Sequence, residues 1–234
     1  MRINEAIILA GGLGTRLQGV LPDLPKSMAP VNGKPFLTYV LNYLEEQGIN
    51  KAILSVGFRN DQIINYFGNK YNSVSIEYAI ENEPLGTGGA VKLAFDKCTQ
   101  DDAFIVNGDT YFTPDLRALE NLYSESFADI TIAVKHLAET SRYGLIKADD
   151  SGRIIEFSEK DLSSGGGWIN GGIYLVKKQI FNDFHLHKFS LENDLFKVSC
   201  SAFHLHAFKT DAFFLDIGIP EDYAKAQSLI AAIK

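Results

Sequence analysis

A glycine-rich segment near the start of the chain carries residue types that bind phosphate. It reads LAGGLGTRL from Leu9 to Leu17 and continues the apolar run Ala6–Ala10. Glycines allow successive backbone N–H groups to turn toward one anion, because no Cβ stands in the way. Arg16 adds a permanently charged guanidinium whose forked donors match phosphate oxygens. The pattern predicts a loop that binds a polyphosphate, with a tight turn that binds nothing as the alternative.

Two well-known glycine loops differ from this one. A dinucleotide-binding fingerprint needs a third glycine and, roughly 20 residues further on, an acid at the end of the second strand. Here Leu17 stands at the third glycine position, and the second apolar run ends in SVGF at 55–58 without an acid. A P-loop needs Lys and then Ser or Thr where this chain has Val20 and Leu21. The sequence disfavours NAD binding and excludes a P-loop NTPase.

Alternating apolar and amphipathic stretches predict the elements that hold this loop. The continuous apolar runs are typical of parallel strands covered by helices on both faces. The predicted strands are Ala6–Ala10, Ala52–Val56, Ser75–Ala79 and Ala103–Asn107, and the predicted helical stretches are Pro35–Gln47, Asp61–Phe67 and Thr87–Lys97. This order predicts a doubly wound α/β sheet, whose ligands bind at the carboxyl ends of the strands.

The sequence becomes rich in strand patterns from Asp129 onward. The predicted strands there are Ile130–Lys135, Gly144–Lys147, Arg153–Phe157 and Trp168–Val176. Pro220, with two acids behind it, predicts the start of a last helix that runs toward Ile233. A chain of 234 residues can close one sizeable core. We therefore expect one α/β domain over residues 1–234.

The composition argues against some classes of binding partner. A net charge of −7 argues against nucleic acid and anionic membranes, because neither polyanion would gain counterion release. The first apolar segment is too short for a signal peptide or a membrane span. Two cysteines, Cys98 and Cys200, form neither a disulfide framework nor a metal-binding cluster, and we expect both to be buried. A cytoplasmic protein follows, and the sequence leaves a homodimer open.

Seven segments together resemble the sugar-phosphate nucleotidylyltransferase family. The first is LAGGLGTRLQGVLPDLPKSMAPVNGKP, which adds Lys26 to the glycine loop. The others follow in order: EPLGTGGA (83–90), VNGDTYF (106–112), YGLI (143–146), FSEKD (157–161), INGGIYLV (169–176) and FLDIGIPEDY (214–223). The resemblance spans nearly the whole chain. It implies a Rossmann-like three-layer α/β/α fold with a mixed central sheet, in which 1–125 mainly bind nucleotide and 126–234 mainly bind sugar phosphate.

The resemblance places the triphosphate on the first segment. The residues that would cradle it are Gly11, Gly12, Gly14 and Thr15. Arg16 would hold the β and γ phosphates that leave, and Lys26 would neutralise the α-phosphate. From the residues alone, Lys26 could equally be a solvated loop lysine. With the match, Arg16, Lys26 and Asp109 are the predicted catalytic residues.

Asp109 and Asp216 are the predicted ligands of Mg²⁺. Asp109 follows the apolar strand FIV at 104–106, and Asp216 lies in the last matching segment. Mg²⁺ prefers one or two carboxylates together with phosphate oxygens and water. Each acid alone would be read as a cap or turn residue. Their joint occurrence in matching segments favours the metal.

The base would lie against the backbone of Leu9 and Ala10 and against the turn that contains Gly86 and Thr87, where glycine allows close approach to a flat ring. Glu81 precedes that turn, and its carboxylate could accept hydrogen bonds from guanine. The alternative for Glu81 is an exposed acid at the end of a strand.

The resemblance assigns five further residues to the sugar phosphate: Gly144, Glu159, Lys160, Asn170 and Gly171. Lys160 would bind the phosphate, Glu159 and Asn170 would bind hydroxyls, and the glycines would offer backbone. One departure is visible, because Asp161 stands where many relatives have proline. Asp161 places an anion beside Lys160 and loosens the loop geometry that proline would fix.

The first ninety residues are most similar to family members that transfer GMP from GTP to D-glycero-α-D-manno-heptose 1-phosphate. GTP and that sugar phosphate are accordingly the expected partners, with Mg²⁺ as cofactor. The alternatives are a uridylyl or other nucleotidylyl transferase for hexose, hexosamine or N-acetylmuramic acid 1-phosphate, and a regulatory subunit that binds nucleotide-sugar without turnover. The intact residues Arg16, Lys26, Asp109 and Asp216 argue against the last.

Overall fold

The computed structural model describes residues 2–12, 17, 19, 21, 23–158, 165–182, 184–197 and 203–232. The described strands are β1 (Glu5–Leu9), β2 (Pro30–Val31), β3 (Lys34–Pro35), β4 (Lys51–Val56), β5 (Lys70–Tyr71), β6 (Val74–Ile80), β7 (Asp102–Asn107), β8 (Thr110–Phe112), β9 (Ile130–Leu137), β10 (Leu145–Ala148), β11 (Ile154–Ser158), β12 (Gly167–Lys177), β13 (Leu205–Thr210) and β14 (Phe214–Asp216). The α-helices are α1 (Phe36–Glu46), α2 (Asn60–Phe67), α3 (Gly86–Ala94), α4 (Leu116–Glu125) and α5 (Pro220–Leu229). Shorter helical segments are Lys26–Met28, Phe95–Lys97, Lys178–Phe181, Ile230–Ala232 and the π-helix Leu191–Phe196.

Successive side chains of the central strands alternate between two apolar clusters. In β1, Ala6 and Ile8 belong to one cluster and Ile7 to the other, and all three are fully buried. A strand places successive residues on opposite faces, so a strand that is apolar throughout needs cover on both sides. Helices α1, α2 and α4 pack into the first cluster, and α3 with the π-helix packs into the second. The predicted three-layer arrangement is confirmed.

Ten strands form one mixed sheet. Its order is β11-β10-β12-β7-β1-β4-β6-β5, with β9 beside β12 and β13 beside β9. Strands β7, β1, β4 and β6 are parallel to one another, whereas β12 runs antiparallel to β7 and to β9, and β5 runs antiparallel to β6. The four predicted strands of the first half are these four parallel strands, within two residues at each end. The doubly wound part and the mixed character of the sheet are both confirmed.

Helix boundaries follow their local signals. Helix α1 begins after Pro35, and Gly48 follows its end with a φ of +83°, which suits glycine. Helix α5 begins at Pro220, as predicted, and ends at Leu229. Helix α4 was not predicted, although Asp115 caps it by accepting hydrogen bonds from the backbone N–H groups of the first turn, Arg117 at 2.8 Å among them.

A two-stranded sheet of β8 and β14 lies apart from the main sheet and was not predicted. The strands are antiparallel, and Asp216 pairs with Thr110. Phe112 and Phe214 contact edge to face, with ring centroids 5.6 Å apart. Ile217 N also donates to Asp109 O at 3.2 Å. This small sheet therefore joins the turn after β7 to a segment about a hundred residues later.

Glu5 is buried at the end of the sheet where β1 begins. Its carboxylate accepts hydrogen bonds from Thr99 N at 2.8 Å, Thr99 Oγ1 at 2.7 Å and Gln100 N at 2.9 Å, and Lys51 Nζ lies 3.5 Å away. Burial acts to raise the pKa of Glu5, but these hydrogen bonds and the lysine together lower it below its usual value. The charged form is therefore the stable one in the folded protein.

Cys98 is half-buried, and burial raises the pKa of its thiol to about 12. Cys200 lies outside the described residues. Within the described ranges, no helix combines the length and the apolar character needed to cross a bilayer.

Candidate active site

The loops that follow β1, β4, β6 and β7 meet at one edge of the sheet, because these parallel strands all end there. Hydrogen bonds continue the pairing beyond the strands: Ala10 N donates to Ser55 O at 2.8 Å, and Gly108 N donates to Leu9 O at 2.9 Å. A cavity of about 840 Å³ opens at this edge. Its size suits a small organic ligand such as a nucleotide.

Most of the predicted nucleotide-binding residues line this cavity. They are Leu9, Ala10, Gly11, Gly12, Lys26, Glu81, Gly86 and Thr87, and Asp109, predicted as a catalytic residue and metal ligand, lines the cavity as well. Five predicted site residues lie outside the described residues: Gly14, Thr15, Arg16, Glu159 and Lys160. Gly144, Asn170 and Gly171 are described but are not among the residues that line the cavity. The structure therefore gathers the described nucleotide set, and hydrogen bonds link Asn170 to the cavity residue Glu192 through Tyr174.

Lys26 lies between the two predicted metal ligands. It begins the short helix Lys26–Met28 after Pro25, and its side chain is only 15% exposed. Lys26 Nζ lies 2.6 Å from Asp109 Oδ2 and 3.7 Å from Asp216 Oδ1. The sheet of β8 and β14 brings the two carboxylates together. The alternative of a solvated loop lysine is therefore wrong.

Asp216 is held in an environment that disfavours its charge. Burial raises the pKa of Asp216 and the neighbouring Asp109 carboxylate raises it further, while Lys26 and the Gly218 backbone N–H only partly offset this. Two carboxylates around one lysine leave net negative charge, which a bound cation would neutralise. Across the described ranges, no group of three or more His, Cys, Asp and Glu side chains could hold a metal on its own. Two carboxylates suffice only for a cation that takes its other ligands from substrate and water.

Glu81 directly follows β6 and is half-buried, so the alternative of an exposed acid is wrong. Its Oε2 accepts a hydrogen bond from Leu85 N at 3.0 Å, and its Oε1 accepts one from Ser55 Oγ at 3.3 Å. A Cβ on Gly11 would lie 2.9 Å from Glu81 Oε1 and 2.9 Å from Gly57 N. Gly11 therefore lets the first loop approach both the β4 edge and this carboxylate.

The glycines at the start of α3 admit a neighbouring segment of the chain. Gly86 has a φ of +74°, and a Cβ there would lie 2.5 Å from Phe189 O. A Cβ on Gly88 would lie 2.1 Å from the Phe189 ring. These glycines make room for the segment around Phe189, and Gly86 also lines the cavity. Thr87, at the start of α3, still faces the cavity.

Asn170 and Gly171 lie at a bulge in β12, where the pairing with β9 shifts register. Gly172 N donates to Asn170 Oδ1 at 2.9 Å, and Asn170 Nδ2 donates to Tyr174 OH at 2.8 Å. A Cβ on Gly171 would lie 2.2 Å from the Phe112 ring, so glycine is needed there for packing. Gly144 directly precedes β10. Both polar atoms of the Asn170 side-chain amide, Nδ2 and Oδ1, are thus oriented by the protein before any ligand binds.

Several residues that line the cavity were not predicted from the sequence, among them Asn107 and Glu192. Asn107 ends β7 within the matching segment VNGDTYF, which could have indicated it. Glu192 had no sequence signal. It reaches the cavity because Thr87 Oγ1 donates to Glu192 Oε2 at 2.9 Å, across about a hundred residues of chain.

Comparison with known proteins agrees with the geometry. The model of the nucleotidyl transferase family matches residues 5–232. A D-glycero-alpha-D-manno-heptose 1-phosphate guanylyltransferase of Aneurinibacillus thermoaerophilus is 50% identical over 224 residues, which is 95% of this chain and 96% of that protein. The protein with the same name from Campylobacter jejuni is 44% identical over 220 residues, 94% of this chain and 96% of its own length.

A solved structure is similar along the whole length. The crystal structure of HddC from Yersinia pseudotuberculosis complexed with GMP-PN superposes with a TM-score of 0.86 at 40% identity, covering 97% of this chain and 100% of that one. Family model, relatives and structure all span both the cavity edge and the β8–β14 sheet. The chain therefore belongs to the nucleotidyl transferase family and is a nucleotidyltransferase.

Proposed function

We propose that this enzyme transfers GMP from GTP to D-glycero-α-D-manno-heptose 1-phosphate, giving the GDP-heptose and pyrophosphate. The observation that carries the proposal is the cavity at the carboxyl edge, where Lys26 lies between Asp109 and Asp216. Support for the sugar and the base comes from two relatives of that name, 50% and 44% identical over nearly the full chain.

The reaction brings two anions together. A phosphate oxygen of the sugar 1-phosphate attacks the α-phosphorus of GTP, and the bond from that phosphorus to the α–β bridging oxygen breaks. Pyrophosphate leaves with the electron pair. Such transfers depend mainly on positioning and on neutralising charge. We assign neutralisation of the α-phosphate to Lys26, and the leaving β and γ phosphates to Arg16 and to the backbone N–H groups of Gly11 and Gly12.

Mg²⁺ is the cofactor that we propose for this site. Asp109 and Asp216 would hold it, since their converging oxygens and the raised pKa of Asp216 indicate uncompensated negative charge. When bound, the cation supplies charge neutralisation on the phosphate oxygens. Lys26 pairs with both carboxylates and so helps to orient them. Without Mg²⁺, the two polyanionic substrates would be repelled by the carboxylates of the site, because Glu81 and Glu192 also line the cavity.

We assign the guanine to the side of the cavity formed by Leu9, Ala10, Glu81 and Thr87. Glu81 is fixed by Leu85 N and Ser55 Oγ, so its remaining lone pairs have a defined direction. A carboxylate there suits the N1–H and amino donors of guanine and disfavours the carbonyl acceptors of uracil. This assignment supports GTP over UTP.

We assign the sugar phosphate to residues 126–234, at Asn170, Gly171 and Gly144, together with Glu159 and Lys160. The amide of Asn170 is pre-oriented, which favours binding of a hydroxyl without further ordering. Residues 1–125 then bind mainly nucleotide. A cytoplasmic location accords with the free thiol of Cys98.

A pyrophosphate-release screen tests the proposal. Four nucleoside triphosphates are crossed with a panel of sugar 1-phosphates that includes the heptose, hexoses, hexosamines and N-acetylmuramic acid, with and without Mg²⁺. We expect the highest rate with GTP and the heptose phosphate. A higher rate with UTP or with a hexose phosphate would replace the substrate assignment, and no release with any pair would support a regulatory subunit.

A matched pair of variants tests the site itself. Lys26→Gln should lower kcat by about 100-fold, because it removes the cation beside the reacting phosphate. Lys34→Gln, at an exposed lysine of β3, should leave kcat unchanged. Equal rates in the two variants would contradict the role of Lys26.

A further inference from the structure

Glu192 lines the cavity from a segment that comes late in the chain. It belongs to the π-helix Leu191–Phe196, and the segment before this helix is fastened to the start of α3. Phe189 N donates to Leu85 O at 2.9 Å, and Gly88 N donates to Phe189 O at 2.9 Å. The position of the Glu192 backbone is therefore fixed relative to the nucleotide side of the cavity.

Three hydroxyl groups donate to the Glu192 carboxylate. Thr87 Oγ1 and Ser190 Oγ each donate to Oε2 at 2.9 Å, and Tyr174 OH donates to Oε1 at 3.3 Å. An ionised carboxylate only accepts hydrogen bonds, so the direction of all three is settled. Thr87 Oγ1 in turn accepts from Leu191 N at 2.9 Å. Both the side-chain rotamer of Thr87 and the direction of its hydroxyl hydrogen are therefore constrained.

Tyr174 connects Glu192 with Asn170, which we assigned to the sugar phosphate. It is fully buried, and burial raises the pKa of Tyr174 well above its usual value, with the Glu192 charge adding to the effect. Its hydroxyl thus stays protonated, donates to Glu192 and accepts from Asn170 Nδ2 at 2.8 Å. Since Gly172 N donates to Asn170 Oδ1, the amide cannot flip without losing both bonds. One N–H of Asn170 remains for a ligand.

We infer that Glu192 is a positioning residue that couples the two half-sites of the reaction. Through Thr87 it sets the start of α3 on the nucleotide side, and through Tyr174 it sets the amide of Asn170 on the sugar side. We call the four side chains Thr87, Glu192, Tyr174 and Asn170 the Glu192 network. The inference rests on the proposed function, because it assigns these ends to nucleotide and sugar phosphate.

Two variants break the network at different points, and a third serves as control. Tyr174→Phe removes the hydroxyl and frees the Asn170 amide. Glu192→Gln replaces one accepting oxygen by a donor, so that Tyr174 or Thr87 loses its acceptor. Asp194→Asn perturbs the same π-helix, where Asp194 accepts from Ser190 N at 2.7 Å, but leaves the network intact. Initial rates are measured over both substrates for each variant and for the double variant.

Tyr174→Phe should raise the KM for sugar phosphate by about 10-fold, the scale of one lost hydrogen bond, and change the KM for GTP by less than about 2-fold. Glu192→Gln should raise both. The double variant should match Glu192→Gln within about 2-fold, since residues in one network are not additive. Multiplicative effects in the double variant, or Glu192→Gln kinetics equal to those of Asp194→Asn, would overturn the inference.

The two proposals fail in distinguishable ways. The proposed function fails when the wild-type protein releases no pyrophosphate from any substrate pair. The network is then tested by GTP binding alone, measured by calorimetry, because the Thr87 end needs no sugar. Glu192→Gln should weaken GTP binding by about 5-fold or more while Asp194→Asn leaves it unchanged, and equal affinities in the two variants would overturn the network.

Discussion

Gly108→Ala should damage both stability and turnover through a single methyl group. Gly108 lies between the end of β7 and Asp109, and its N–H donates to Leu9 O at 2.9 Å. A Cβ at this position would lie 2.7 Å from Leu9 O and 3.3 Å from Ile8 Cγ2. Both neighbours belong to the central strand β1. Neither can turn away as the far end of a flexible side chain could.

The size of the effect follows from this geometry. The contact with Leu9 O is about 0.7 Å short of the 3.4 Å at which ordinary contact begins. Forcing a methyl into close-packed surroundings costs about 2 kcal/mol, which for a domain of this length lowers Tm by about 6 °C. Asp109 follows directly and must move with the backbone. A shift of several tenths of an ångström at a catalytic carboxylate should lower kcat by about 10- to 100-fold.

Thermal unfolding and pyrophosphate release measure the two effects. Gly57→Ala is the stability control, because its Cβ would lie 3.5 Å from the nearest atom, Gly11 O, at the same sheet edge. We expect its Tm to remain near that of the wild type. A Gly108→Ala variant with the Tm of Gly57→Ala and an undiminished kcat would show that the sheet edge yields to the added methyl group. It would also show that β1 does not set the position of Asp109.

Three further outcomes are expected. Asp109→Ala and Asp216→Ala should each lower pyrophosphate release by at least about 100-fold with the circular dichroism spectrum unchanged, and near-normal rates in both would remove the metal assignment. Glu81→Gln should lower the ratio of kcat/KM for GTP over UTP by about 10-fold, and an unchanged ratio would separate Glu81 from base recognition. Glu5→Gln should lower the free energy of unfolding at pH 7 by about 2 kcal/mol. Because folding lowers the pKa of Glu5, the stabilisation by its charged form is complete above the unfolded-state pKa of 4.5 and is lost as the pH falls through the folded-state pKa. The free energies of unfolding of variant and wild type, measured by denaturant titration, should therefore converge in acid. A difference that stays constant with pH would contradict this.

The parallel strands could be predicted because their signal is local. Strands β1 and β7 carry continuous apolar runs, as a strand covered on both faces needs, whereas β6 alternates apolar residues with Ser75 and Glu77. The shared edge of the parallel strands then located the cavity. Lys26, Asp109 and Asp216 required more than composition, because each alone resembles an ordinary loop residue. Their sequence context in the family segments brought them together, and the structure places Lys26 Nζ within 4 Å of both carboxylates.

Other features could not be predicted for a physical reason. Strands β8 and β14 have three residues each, too few for a periodic pattern, and exist because they pair with each other. Glu192 reaches the cavity only through contacts with Thr87 and Tyr174, which depend on the packing of the π-helix. The contact of Gly86 with Phe189 could not be predicted either, because a glycine that admits Phe189 looks the same in sequence as one that admits a base.

The pairing of β8 with β14 also has a consequence for how the protein is made. Ribosomes synthesise Asp109 about a hundred residues before Asp216, and the pairing of β8 with β14 brings the two carboxylates together around Lys26. A growing chain can complete its parallel strands and acquire Lys26 while the second acid does not yet exist. With the metal role that we propose for both acids, a nascent chain that lacks β14 is expected to be inactive even when its nucleotide-facing half has folded.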